Sequence, residues 1–415
     1  LNETAYDTVP YPGHPHPETH PNRLAALARL FGLEAPPVAT ARVLEIACGD
    51  AANLIPIAQS LPRSRCFGFD LAPTAVARAR EEIAKLGLTN IDVIEADLVS
   101  VAETLGEFDY IIAHGLYSWV PPPVRDSLLT LIRDSLSAYG IAFVSHNVYP
   151  GWHIGRMVRE MLRYHTRGID DPDTRVVQAR ALLDFLVVAH PEPDPYGRLL
   201  VAECERMGKY TPAHIFHDDL ADVNDPVYFH EFVAHASAFD LKFIADADFA
   251  TMTGADLPEP ARLKLDALHG DPVVYGQYLD FVRCRRFRES LLCLVTNAIS
   301  QAPVAGAVRQ MALASNAVAD TEPVEFGVDV EVQFRRERRG SLKTNHPLAK
   351  AVLVALGERW PDSMSFDDLL GAAVALLGRP PENVDAAALE QIVVGAFGLR
   401  MVELLAERIP RSVPL

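Results

Sequence analysis

The sequence predicts an α/β protein: a doubly wound, mostly parallel, seven-stranded sheet with a helical insertion and a C-terminal winged-helix-like domain. Three observations point there. From Arg42 onward, short apolar runs alternate with amphipathic stretches of helical period, the pattern of βα units. Five such runs fall within residues 41–145, the density of a doubly wound domain. A glycine-containing turn follows the first run and an acid closes the second, where open parallel sheets bind their ligands.

Residues 1–40 read as an N-terminal arm and helix. Pro10, Pro12, Pro15, Pro17 and Pro21, interleaved with His14, His16 and His20, favour an extended arm over residues 1–23. Asn22 is placed to cap a helix near 23–32 that Gly32 ends. The core, 41–152, carries strands over 42–47, 65–70, 91–96, 108–114 and 141–146 and helices over 53–61, 73–86 and 123–137, with Tyr139-Gly140 as a stop signal.

Residues 153–226 lose the alternation and read as a helical insertion, or lid, broken by loops such as Asp170-Asp171-Pro172 and 191–195. Residues 227–298 complete the sheet with a helix over 228–239, an extended 241–249 and an apolar run over 290–295, the last two forming an antiparallel pair. Residues 299–415 hold an alanine-rich stretch, helical patterns at 347–358, 366–377 and 386–397, and an extended 400–406. That order suggests the winged-helix-like shape.

A chain of 415 residues, 49% apolar and 22% charged, is expected to fold as two or three packed units. Its 55 acidic against 38 basic residues give a net charge of −17, which disfavours nucleic acid as a partner. The basic groups Arg283, Arg285, Arg286, Arg288 and Arg335, Arg336, Arg338, Arg339 read as alternating strand positions or solvated faces. Five cysteines without a C-x-x-C pair suggest neither disulfides nor zinc, and a reducing cytoplasm fits. The start lacks a leader pattern and no apolar stretch reaches about 18 residues, so membrane insertion is not expected.

The loop after the first strand, within Glu45-Ile46-Ala47-Cys48-Gly49, is the place for a cofactor, and Asn53 opens the helix behind it. Gly49 permits the turn and lets backbone approach a ligand. Twenty-one residues later Asp70, followed by Leu71, is placed to accept hydrogen bonds from two ribose hydroxyls. A pyrophosphate calls for G-x-G-x-x-G, which a single glycine does not supply, so S-adenosylmethionine fits better than a dinucleotide. Asp97, ahead of Leu98, is placed either to meet the adenine amino group or to cap a helix; the two roles can coexist.

Together these motifs resemble the class I methyltransferases (Rossmann-like) that carry a methyltransferase regulatory domain, whose best-known members methylate lysines of bacterial outer-membrane proteins. The resemblance rests on Val43 to Asp50, Asn53 to Pro56, His114 to Pro121, Asn147 to His153, Phe229 to Phe232 and Arg285 to Arg288. It departs at Ala51-Ala52, where that family is glycine-rich and an alanine methyl would crowd the methionine part of the cofactor.

For the acceptor the candidates are His114, which ends the fourth strand, and Tyr117, Trp119, Asn147, Tyr149 and Trp152, which follow the fourth or fifth strand, where the methyl group should emerge. Polar aromatics suit alignment and desolvation of an acceptor; core packing competes equally for either tryptophan. His114 either lines the cofactor or accepts a proton, or is a structural histidine, the favoured reading. His230 and His235, five residues apart, stand about 140° apart on a helix and do not form a metal pair.

The resemblance implies a protein lysine as methyl acceptor. A small metabolite methylated at nitrogen or oxygen is the second reading, and a cofactor-binding regulator without turnover the third. Oligomeric state is not legible.

Overall fold

The computed structural model describes residues 5–101, 105–191, 194–268, 270–336, 340–380 and 382–408. Seven strands form the main sheet: β1 Arg42–Ile46, β2 Arg65–Asp70, β3 Ile91–Glu95, β4 Phe108–Ala113, β5 Leu136–Asn147, β6 Leu241–Asp246 and β7 Phe287–Leu294. Their spatial order is β3-β2-β1-β4-β5-β7-β6. β1 to β5 run parallel, and β7 pairs antiparallel with both β5 and β6. The order reverses beside β1, so the loops after β1 and β4 flank the crevice where such sheets take ligands.

β5 begins at Leu136, before the Tyr139-Gly140 pair read as a helix stop, because the chain passes from the Pro122–Ser135 helix into extended structure with no turn between. Its residues from Gly140 to Asn147 are all buried, as expected of a strand covered on both faces. The Pro73–Leu86 helix buries Ala75, Val76, Ala79 and Ile83, one face of a 3.6-residue repeat, and ends on left-handed Gly87. Helix Pro21–Leu30 starts two residues ahead of expectation and is capped by His20, whose Nδ1 accepts from Asn22 N; Asn22 instead exchanges two 2.8 Å bonds with the Glu407 backbone.

One face of the sheet packs on the helices Pro122–Ser135 and Phe229–Ala238. The other packs on helices Pro21–Leu30, Leu54–Ser60 and Pro73–Leu86, and its core runs without a break into the C-terminal unit through Leu313, Phe334, Leu353 and Val393. The insertion holds the helices Gly151–His165, Pro172–Val188 and Pro195–Gly208 and a small core of its own around Leu162, Leu183 and Leu200. Among the described residues no helix is long and apolar enough to cross a membrane.

Among its described residues the C-terminal unit has three α-helices, Pro347–Arg359, Phe366–Leu376 and Asn383–Gly398, and two three-stranded sheets. One of these joins Ala312–Ala314, Met364–Ser365 and Glu403–Leu405, so a strand preceding all three helices lies between two that follow the first and last.

The first arginine group is not a solvated face. Arg288, on β7, is buried, bonds Asp280 at 2.9 Å and Asp246 at 2.7 Å, and lies over the Phe229 ring. Arg285 reaches Asp246 at 2.9 Å and Arg286 pairs with Glu203. Of the acids that neutralise them, Asp246 and Glu203 lie far off in sequence, which is why local pattern suggested solvent. In the second group Arg336 is buried against Glu403, while Arg338 and Arg339 lie outside the described residues.

Candidate active site

β1 delivers the chain into a loop that alternates left-handed residues: Ala47 at φ 56°, Gly49 at 54° and Ala51 at 58°. Gly49 N donates to Asp70 Oδ2 at 2.8 Å and Ala72 N to Oδ1 at 2.8 Å, so the carboxylate at the end of β2 ties both loops together. Each oxygen keeps a lone pair for a further donor. Burial pushes Asp70 above the usual carboxylate range, and the backbone donors oppose it. Among the described residues, its two chain neighbours aside, no atom lies within 4 Å of where a Cβ on Gly49 would stand, which leaves open space beside the loop for a ligand.

Beneath the loop Glu45 is buried, with Oε1 accepting from Asn53 Nδ2 at 2.8 Å and Oε2 without a partner among the described residues. Burial pushes Glu45 up to about 8, against the Asn53 bond and helped by Asp70 and Asp50. Cys48 is buried, its thiol raised by burial; Leu71 is exposed beside Asp70. Asp97 Oδ1 accepts from Val99 N at 2.9 Å, capping the short Leu98–Val101 helix, and Leu98 is buried in the core.

Sequence reasoning missed the arm's part. It lies across the loop: Gly13 packs on Asp50 and Ala52, His16 N donates to Asn53 Oδ1 at 2.8 Å, and Thr19 bonds Asn53 at 3.0 Å. His16 stacks on His114 at 3.7 Å, and burial drops His114 to about 4, so its imidazole is neutral near pH 7. The run of prolines and histidines was the available signal, because it keeps a segment extended enough to lie across a loop.

The six acceptor candidates make contacts of several kinds. His114 faces the arm and Phe287. Asn147 is buried at the end of β5, its Nδ2 3.1 Å from Asn224 Oδ1. Tyr117 turns into the opposite core, its hydroxyl 2.7 Å from His235 Nδ1 and its ring against Phe232. Trp119 and Trp152 meet edge to face at 6.4 Å. Tyr149 stacks on His153 at 4.1 Å over the start of the insertion.

His230 bonds Gln277 while His235 bonds Asp126 and Tyr117, so those two histidines serve different contacts. Among the described residues His16, Glu18 and His114 are the only group of three or more whose ligating atoms all lie within 4.8 Å of one another. The two rings are stacked with planes 25° apart, so their in-plane lone pairs run side by side rather than converging on one ion.

Two family models match, a methyltransferase domain over residues 43–140 and a predicted methyltransferase regulatory domain over 211–294. An uncharacterised protein of Rickettsia prowazekii (strain Madrid E) is 33% identical over 385 residues, 91% of this chain and 69% of that protein. The chain belongs to the class I methyltransferases with a regulatory domain. A second uncharacterised R. prowazekii protein is 33% identical over 244 residues, 59% of this chain and 98% of its own length. PKMT2 from Rickettsia typhi, solved in complex with AdoHcy, matches at a TM-score of 0.85 and 29% identity, covering 96% of this chain and 78% of that one.

This methyltransferase therefore uses S-adenosylmethionine. Its residues fit the cofactor: Gly49 leaves room, Asp70 has acceptor capacity to spare, and the buried Glu45 Oε2 lacks a partner among the described residues.

Proposed function

We propose that the chain transfers a methyl group from S-adenosylmethionine to the side-chain amine of a protein lysine. The observation that carries this reading is the extent of the likeness to PKMT2: it spans 96% of the chain, so the insertion and C-terminal unit are shared along with the cofactor sheet. Those added parts decide which acceptor reaches the edge of β4 and β5. Five free cysteines suit a reducing compartment such as the cytoplasm.

Asp70 would hold the ribose hydroxyls, the loop at Gly49 would hold the methionine part, and Asp97 would hold the adenine amino group. When bound, S-adenosylmethionine supplies a methyl carbon activated by its sulfonium. The protein has to align an amine with that carbon and exclude water. The arm, packed over Asp50 and Asn53, serves the second task.

The test is to incubate the purified chain with S-adenosylmethionine labelled in its methyl group and separate protein and metabolite fractions of a cell lysate. Label in protein, mapped to lysine by mass spectrometry, is the expected result. Label confined to metabolites, or none above a chain-free control, overturns the reading.

A further inference from the structure

A cavity of about 330 Å³ lies where the arm, the β6–β7 end of the sheet and the C-terminal unit meet, with Glu18, Asp248, Glu289, Arg336, Arg400 and Glu403 among its walls. Most of this charge is already matched. Arg400 forks onto Asp248 at 3.0 and 2.5 Å, Arg336 pairs with Glu403, and Glu18 lies 3.3 Å from His16. Glu289 is different: among the described residues its carboxylate makes no hydrogen bond or ion pair.

Register places Glu289 beside the methyl-transfer edge. It stands opposite Ser145 on β5, so the two side chains share a face; two residues back, Phe143 and Leu291 form the same kind of pair in the core that faces the C-terminal unit. Ser145 Oγ accepts from Gly115 N at 2.7 Å, the residue after His114. His114 lies against Phe287 and under His16, whose partner Glu18 is itself a cavity wall. Through Glu289 and Glu18 that wall of the cavity backs onto Ser145 near the end of β5 and onto His114 and Gly115, which follow β4.

We propose that this cavity is the port through which a primary ammonium reaches the methyl donor, and that Glu289 is the catalytic carboxylate that binds it and takes its proton. The proposal rests on the amine reading above. An N–H bond breaks and its proton moves to Glu289; the freed lone pair forms the C–N bond while the C–S pair stays on sulfur. The positive charge passes from sulfonium to the methylated nitrogen, and the proton on Glu289 leaves to water through the cavity.

The surroundings suit that exchange. Burial pushes Glu289 up to about 8, reinforced by Glu18, Asp246 and Asp248 and opposed by Arg285, so the carboxylate both accepts and releases a proton near neutrality.

The test uses Glu289→Gln and Glu289→Asp in the full chain, with Nα-acetyl-lysine methylamide as the amine probe and AdoHcy binding as the control for folding. In wild type kcat/KM is expected to rise with pH to a limb near 8 and to fall beyond about 10.4, where the probe loses its own proton. Glu289→Gln should lose at least about tenfold at pH 7.5, about 1.4 kcal/mol of barrier. Its profile should rise without the limb near 8, Glu289→Asp should recover part of the rate, and AdoHcy affinity should stay within about twofold.

Calorimetry on the AdoHcy-bound chain should also show the probe binding more weakly to Glu289→Gln than to wild type. Wild-type rate and profile in a Glu289→Gln protein that binds AdoHcy normally would overturn the port. An inert wild type, or label found only in metabolites that lack an amine, overturns the amine reading first, and the calorimetric comparison still decides whether Glu289 holds an ammonium.

Discussion

Ala51 has a backbone made for glycine. Its φ of 58° is shared in the loop by Gly49 and Ala47, and the left-handed region costs an L-residue roughly 1–2 kcal/mol. The sequence marks the position by its departure from a glycine-rich pattern, and the structure shows the loop keeping the glycine conformation with an alanine in it, fully buried. Ala51→Gly should therefore relieve strain, raising the urea midpoint by an amount worth up to about 1 kcal/mol, and tighten AdoHcy binding if the methyl also borders the ligand. A lower midpoint with weaker binding would mean that the alanine methyl fills a gap in the core that matters more than the strain.

Other residues were less legible. Glu45, Asp70 and Gly49 could be placed because each ends a strand or forms the turn after one, and position in a parallel sheet carries its own meaning. Glu289 could not, because its significance comes from an antiparallel partner 144 residues away. Tyr117 was aimed at the acceptor by its loop, yet the short turn over Tyr117–Trp119 carries it into the core beside Phe232.

Among the elements, the arm does most to enclose the site. Tyr6 stacks on His217 at 4.3 Å in the turn Ile215–Asp219, Thr74 Oγ1 donates to Asp7 at 2.6 Å at the start of the helix after β2, and Gly13 and His16 close over the loop after β1. A Cβ on Gly13 would stand 2.1 Å from Asp50 Oδ1 and 2.6 Å from the Ala52 methyl, which has no rotamer to escape into. Gly13→Ala should lift the arm: limited proteolysis within residues 5–20 should speed up and AdoHcy should dissociate several-fold faster. Unchanged proteolysis and off-rate would mean the arm does not enclose the cofactor. An extended arm follows from its prolines; the structure adds two short helical turns, Ala5–Thr8 and Pro17–Thr19, and contacts whose partners no local pattern reveals.

Over the whole molecule, the strand positions and the antiparallel final pair were readable because buried parallel strands leave plain apolar runs between amphipathic helices. The tail reads as touching the core or a protein partner; that sheet and C-terminal unit share one continuous core was not legible, since it is assembled from apolar faces that each look ordinary alone. Burial of acids across this body sets its response to pH. Glu45 and Glu289 are pushed up to about 8 and Asp218 to about 7, so above pH 6.5 the folded chain holds protons that the unfolded chain has released.

Stability then falls as pH rises through that window. Buried His20 and His114, pushed down to about 4, act oppositely, but only below about pH 6.5. The urea midpoint of the ligand-free chain should drop between pH 6.5 and 8.5; a midpoint that rises over this range would show that these carboxylates are not buried as described.

The loop after β1 and the carboxylate of Asp70 form the proposed cofactor site. Calorimetric titration of AdoHcy, with NAD as the comparison ligand, into wild type and Asp70→Ala tests it directly. The expected result is that AdoHcy binds wild type and NAD does not, and that Asp70→Ala loses at least about 1–3 kcal/mol of affinity, the scale of hydrogen bonds to a charged group. Equal AdoHcy affinity in the two proteins would contradict the account.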